Sequence, residues 1–235
     1  MTNRQWFFKG MKNGFPICLG YFAVSFALGI SARSVGMDAI QSGFMSFTML
    51  ASAGEFAAIT LIGGMAGFIE IVLTTLVVNM RYFLMSMSLT QKLSSDTSWI
   101  HRLLIPFFVT DEIFGLSATV DGDLNPCYTY GIAFPSVIGW TIGTVLGVIV
   151  GNILPVWLVS ALGVAMYGMF LAIIVPPVKT DRFIGLLVLL SMGMSWLFSA
   201  LPYISKISSG FRIIILTLSL SALAAWIKPR KEIVE

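Results

Sequence analysis

Apolar residues along the chain come in blocks about as long as a membrane-crossing helix, and polar residues collect in short breaks between them. A hydrocarbon core about 30 Å thick takes roughly 20 apolar residues as a helix, and no open backbone is tolerated against lipid. Residues 13–32 predict a first span, uncharged and preceded by Arg4, Lys9 and Lys12. A basic start before an apolar centre also fits a removable leader. The sequence beyond it is equally apolar, so a retained span is the better expectation. Residues 124–178 carry no Asp, Glu, Lys, Arg or His, which is room for two spans with Gly151-Asn152-Ile153-Leu154-Pro155 as the turn. Residues 183–203 and 210–227 predict a closing pair, with Lys206 and Ser208-Ser209-Gly210 between them.

Residues 39–62, 67–90 and 103–120 are long enough to cross, but each holds ionisable groups. Counting all three predicts an all-α, polytopic helical membrane protein of about eight membrane segments, one membrane domain over residues 1–235. Both termini then share a side with Lys179, Arg182, Lys228, Arg230 and Lys231, and the positive-inside rule makes that side cytoplasmic. The same count strands Lys92 and Arg102 outside and Asp121-Gly122-Asp123 inside. One or two of the middle segments are therefore expected to be broken or re-entrant.

Composition agrees with a lipid solvent. Hydrophobic residues make up 57% and charged residues 11%, against about 25% charged in ordinary soluble domains, which excludes a soluble globular enzyme. The net charge of +3 bears on orientation and gives no reason to expect nucleic acid. Cys18 and Cys127 are far apart, and His101 is the single histidine, so neither metal nor cofactor is expected.

Charged groups inside membrane helices cost on the order of 2.5–3.5 kcal/mol each on insertion scales, so their presence points to pairing, water or function. Five stand out: Glu55, Glu70, Arg81, Asp111 and Glu112. All fall in a polar half, about residues 13–120, and an apolar half, about 124–228, is expected to scaffold it. Gln41, Thr48, Ser52 and Glu55 share a narrow arc of one helix; Glu70, Thr74 and Arg81 form a second stripe, with Asn79 and Ser86 on a neighbouring face. The stripes are expected to face each other or a common wet chamber. Glu70 either reaches the interface or is buried. Ser52-Ala53-Gly54 either breaks the helix before Glu55 or packs it tightly. Adjacent residues do not share a helix face, so one of Asp111 and Glu112 is expected to line the site, Asp111 in preference, and the other to cap a helix or meet the Arg81 stripe. Asp121-Gly122-Asp123-Leu124-Asn125-Pro126 reads as a turn. Gly139, Gly143, Gly147 and Gly151 form a seam for close helix packing, with Ser191, Ser195 and Ser199 as a plausible mate.

Asn79-Met80-Arg81 with Leu84 and Ser88-Leu89, Thr110-Asp111-Glu112-x-Phe114, and Ala53-Gly54-Glu55-Phe56 resemble signatures of the AzlC family of branched-chain amino acid exporters. The resemblance in length and segment order covers about residues 10–230. It implies a bacterial cytoplasmic-membrane transporter, working with a small AzlD-type membrane subunit, that exports leucine, isoleucine, valine or methionine on the proton gradient. Within that reading Arg81 suits a substrate carboxylate, and Asp111 or Glu55 suits an ammonium or a proton. Phe56, Phe114 and the methionines offer apolar walls. Two other readings are an intramembrane hydrolase using Asp111 with Glu55 or Glu112, and a purely structural subunit. The first lacks a Gly-x-Gly-Asp motif and a Gly-x-Ser-x-Gly elbow, and the second leaves the buried charges unexplained.

Overall fold

The structure, a computed structural model, describes residues 1–151, 181–201 and 207–228 together with isolated positions from 153 to 179. The expected span within 156–178, Asn152 of the turn before it, Lys206, Arg230 and Lys231 thus lie largely or wholly outside the described residues. Among those described, every regular element is a helix: α1 (Asn3–Ser34), α2 (Ala39–Met49), α3 (Ser52–Gly63), α4 (Phe68–Gln91), α5 (Trp99–Phe107), α6 (Asp111–Ala118), α7 (Pro126–Val150), α8 (Arg182–Ala200) and α9 (Ser209–Ile227). Five of these, α1, α4, α7, α8 and α9, are long and apolar enough to cross a membrane.

Local sequence sets the helix starts. Thr2 with Gln5 and Asp38 with Gln41 form capping boxes. Asn125 caps α7 ahead of Pro126, whose missing N–H costs nothing at a first helical position. Thr110 caps α6 by accepting from the Ile113 N–H.

Helices α1 and α7 lie side by side and parallel. Asn125 donates to Asn3 at 2.9 Å where both begin, and Ile30 lies against Gly151 where both end. Glycines make this approach possible. A Cβ on Gly139 would meet the Cys18 backbone, and one on Gly143 or Gly147 would collide with the carbonyl of Phe22 or Phe26. Gly10, Gly14 and Gly29 answer from α1 against Tyr128, Ile132 and Thr144. Small residues admit this backbone contact in lipid, where apolar surface alone gives little drive to associate. The seam therefore faces α1 and not Ser191, Ser195 and Ser199. Ser191 and Ser195 of α8 instead line a groove against α9, and Ser199 accepts from Arg212 of α9.

Helix α4 runs opposite to α1, since its end meets the start of α7 through the Leu124 N–H to Lys92 carbonyl bond, 2.7 Å. Residues 39–62 and 103–120, expected as candidate crossings, are both broken, and each returns to the face it left. Helix α2 starts beside the end of α7 and runs inward, with Gly43 against Val145 and Ser46 bonded to Thr144. Leu50 then takes a left-handed conformation (φ 48°), and α3 runs back until Gly63 touches Val35 at the end of α1. The second pair enters from the other face. His101 of α5 bonds Tyr130 near the start of α7; the chain breaks at Phe108–Thr110, and α6 returns so that Lys92 caps the Ala118 and Val120 carbonyls at 2.6 and 2.5 Å. Eleven, twelve, nine and eight residues at about 1.5 Å each reach only part of the way through a 30 Å core.

Helices α8 and α9 form an antiparallel hairpin closed by a Lys228–Asp181 ion pair of 2.6 Å. The start of α9 seats against α4.

Candidate functional site

The tips of the two re-entrant pairs meet near the middle of the three core helices. Asn79 and Arg81 stand near the middle of α4, Tyr21 on α1 and Trp140 on α7. Against them lie the first turns of α3 and α6, each with an acidic residue where the helix N-terminus favours negative charge.

Glu55 is fully buried. One carboxylate oxygen accepts from Trp140 Nε1 at 2.7 Å and from the Ala51 N–H at 3.4 Å, the other from Ser46 Oγ at 2.6 Å. Ser46 also shares a 2.8 Å hydrogen bond with Thr144. Three donors meet the cost of burying this group, and no basic side chain pairs with it among the described residues.

The second cluster carries both signs of charge. Arg81 pairs with Asp111 at 3.0 Å, and its guanidinium lies over the Tyr82 ring, 4.8 Å from the centroid, while donating to the Tyr82 hydroxyl at 3.0 Å. The two side chains remain 34% and 22% exposed on the surface of the chain. Glu112 turns the other way and accepts from Tyr21, whose hydroxyl also lies 2.6 Å from Thr110 Oγ1. Tyr21 packs edge-on against Trp140, centroids 5.3 Å apart. The two aromatics thereby connect the Glu112 and Glu55 clusters through ring contact.

The expectation of one wet chamber shared by Glu55, Arg81 and Asp111 is not what the coordinates show. Arg81 and Asp111 come together; Glu112 lies behind them on Tyr21, and Glu55 is sealed off behind Trp140. Asn79 lies against Gly54, with its Oδ1 buried and unpartnered. The stripe through Gln41, Thr48, Ser52 and Glu55 is interrupted by the turn at Leu50. Gln41 serves the α2 cap, Thr48 bonds its own helix, and Ser42 and Ser46 face inward instead. Glu70 takes the buried alternative, accepting the Gly210 N–H at 3.0 Å, so it caps α9 away from the other charges. The site is walled by α1 and α7, one from each half of the chain. Among the described residues no group of three His, Cys, Asp or Glu is placed to hold a metal ion.

Tyr21, Ser46 and Trp140 were not singled out from sequence. The available signal was a Tyr and a Trp in mid-span, whose polar atoms need partners when buried.

The sequence matches the family described as "AzlC protein" over residues 16–154. It is 31% identical over 181 residues to an uncharacterized membrane protein of Archaeoglobus fulgidus, covering 76% of this chain and 79% of that one. Inner membrane protein YgaZ of Escherichia coli is 27% identical over 62% of this chain and 61% of its own length. The branched-chain amino acid transport protein AzlC of Bacillus subtilis is 26% identical over 65% and 62%. The chain thus spans less than two thirds of the length of the last two. No solved structure matches it. On the family match and the apolar helices together, the chain is a multi-pass membrane transporter of the AzlC family.

Proposed function

We propose that the chain is the large component of a proton-coupled exporter of branched-chain and related apolar amino acids in a bacterial cytoplasmic membrane, working with a small AzlD-type membrane subunit. The observation that carries this reading is the half-open Arg81–Asp111 pair where two broken helices meet. A zwitterion needs a cation or helix N-terminus for its carboxylate and an acid or carbonyl for its ammonium, and discontinuous helices supply such groups at mid-depth. Arg81 takes the carboxylate and Asp111 the ammonium, with substrate exchanging for their mutual contact. Glu55 is the candidate proton carrier, because it is a buried acid with no cation paired to it among the described residues and lies behind Trp140, apart from the exposed pair. The printed name of the Bacillus subtilis relative supports the substrate class.

The re-entrant pairs support an orientation as well. With both pairs returning, Arg4, Lys9, Lys12, Lys92 and Arg102 gather at the face where α1, α5 and α7 begin. The positive-inside rule then assigns that face to the cytoplasm, and the earlier conflict over Lys92 and Arg102 disappears.

A hydrolase is disfavoured by geometry. An aspartyl dyad needs two carboxyls in hydrogen-bonding contact, but Asp111 pairs with Arg81, Glu112 with Tyr21 and Glu55 with Trp140. The test is efflux of labelled leucine from vesicles under a pH gradient, with and without a co-expressed small subunit. Wild-type efflux that Arg81→Ala abolishes and Glu55→Gln uncouples from the gradient is expected. Chemical alteration of the leucine, or full efflux by Arg81→Ala, refutes the reading.

A further inference from the structure

One flank of α4 carries Thr75, Asn79, Tyr82, Ser86 and Thr90. Steps of four, three, four and four residues place all five on one narrow stripe that runs nearly the length of the helix. Two grooves lie along this stripe, end to end. The first, about 600 Å³, is bounded by α2 and α3 and contains Thr75 and Asn79, with Met45, Ala58 and Ile62 on its apolar side. The second, about 460 Å³, is bounded by α5 at Pro106 and contains Tyr82, Ser86 and Thr90. One groove lies against each re-entrant pair; Asn79 of one and Tyr82 of the other are one helical turn apart, and Tyr82 holds Arg81 of the Arg81–Asp111 pair.

Three observations distinguish this flank from a lipid-facing surface. Its five polar side chains lie in continuous register, with Ser86 and Thr90 donating to the carbonyls of Tyr82 and Ser86. Thr75 Oγ1 and Asn79 Oδ1 are buried and unpartnered, although a helical Thr readily bonds the carbonyl one turn back. The face of α4 that carries Leu73, Met80 and Leu84 is apolar and more exposed, so it, and not the stripe, is suited to lipid.

We propose that this flank is the substrate track: a small zwitterion with an apolar side chain moves along α4 from the Thr90 groove to the Thr75 groove, passing Asn79 and Tyr82. Its donor groups satisfy Asn79 Oδ1 and Thr75 Oγ1 in turn, and its side chain lies against Met45, Ala58 and Ile62. The identity of the solute rests on the proposed function; the location of the track does not.

Single cysteines test it, introduced by Thr75→Cys, Thr90→Cys and Leu84→Cys into a chain with Cys18→Ala and Cys127→Ala that retains wild-type yield and monodispersity. A charged, membrane-impermeant thiol reagent reacts with water-exposed thiolates and not with thiols in lipid. The Thr90 variant is expected to react only from the face where α1 begins, the Thr75 variant only from the opposite face, and the Leu84 variant from neither. Saturating leucine should slow the first two reactions several-fold. If Thr75 and Thr90 behave like Leu84, or react from the same face, the track is wrong. Sided reaction without leucine protection keeps the track and overturns the substrate assignment instead. Where the cysteine-free background does not fold, Thr75→Trp and Thr90→Trp in the native chain replace it. Normal yield with lost transport supports the track, and normal transport overturns it.

Discussion

Replacing Trp140 by Phe keeps a ring against Tyr21 but removes the Nε1 donor that serves Glu55 at 2.7 Å. A hydrogen bond to a charged group contributes about 1.5–3 kcal/mol, whereas bonds between side chains within membranes average nearer about 0.6 kcal/mol with a maximum of about 1.7. Among the described residues Glu55 has no cation to share the load, which argues for the upper part of the membrane range, about 1.5 kcal/mol. Ser46→Ala removes the donor to the other oxygen and should cost a similar amount. Together they leave only the 3.4 Å bond from the Ala51 N–H, so the double variant should lose more than the sum, as shared networks do. Adding Glu55→Gln to the double variant removes the charge that the donors served and should recover part of the loss. Reversible unfolding in mixed micelles, followed by circular dichroism, gives each free energy. A Trp140→Phe cost below about 0.5 kcal/mol, simple additivity, or no recovery with Glu55→Gln would each show that these donors do not stabilise a buried carboxylate.

Gly147→Leu drives a side chain into the Phe26 carbonyl and should cost at least the about 1–3 kcal/mol of an overpacked core; detergent-extracted yield and melting temperature measure it, and unchanged values would contradict the backbone contact. Glu70→Ala orphans the Gly210 N–H, a loss of about 1–3 kcal/mol that should loosen α9 and speed proteolysis between α8 and α9, while Glu70→Gln, which keeps an acceptor, should not. Tyr21→Phe strips Glu112 of its phenolic donor. It is expected to lower the maximal efflux rate more than apparent leucine affinity, and a change in affinity alone would place Tyr21 on the substrate instead.

Hydropathy made α1, α4, α7, α8 and α9 legible, because a helix in lipid must hide its own backbone and must be long. The break near Glu55 was visible only as one of two readings of Ser52-Ala53-Gly54. It falls two residues earlier, at Leu50 in a left-handed conformation, a position that neither Gly nor Pro marks. Pro106 and the acidic first turn after Thr110 flank the second break. That one or two middle segments turn back was legible from the charges stranded at Lys92 and Arg102, but not which ones: an apolar segment scores the same whether it crosses or turns back, and contacts such as Gly63 with Val35 decide. The mate of the glycine seam was missed for a related reason. Gly10, Gly14 and Gly29 are irregularly spaced within a longer helix, whereas the serines of α8 matched the seam's interval without touching it.

The parallel pairing of α1 with α7 also constrains biogenesis. Ninety-one residues separate Ser34 from Pro126, so at about 5–20 residues per second the ribosome takes roughly 5–18 s to deliver the mate of a helix already in the bilayer. Throughout that delay the bare glycine face of α1 is open to premature association, chaperoning or cleavage by quality-control proteases. Substitutions at the glycine seam are therefore expected to register first as shortened lifetime of the newly made chain, visible by pulse-labelling, before any defect in the assembled transporter can be measured.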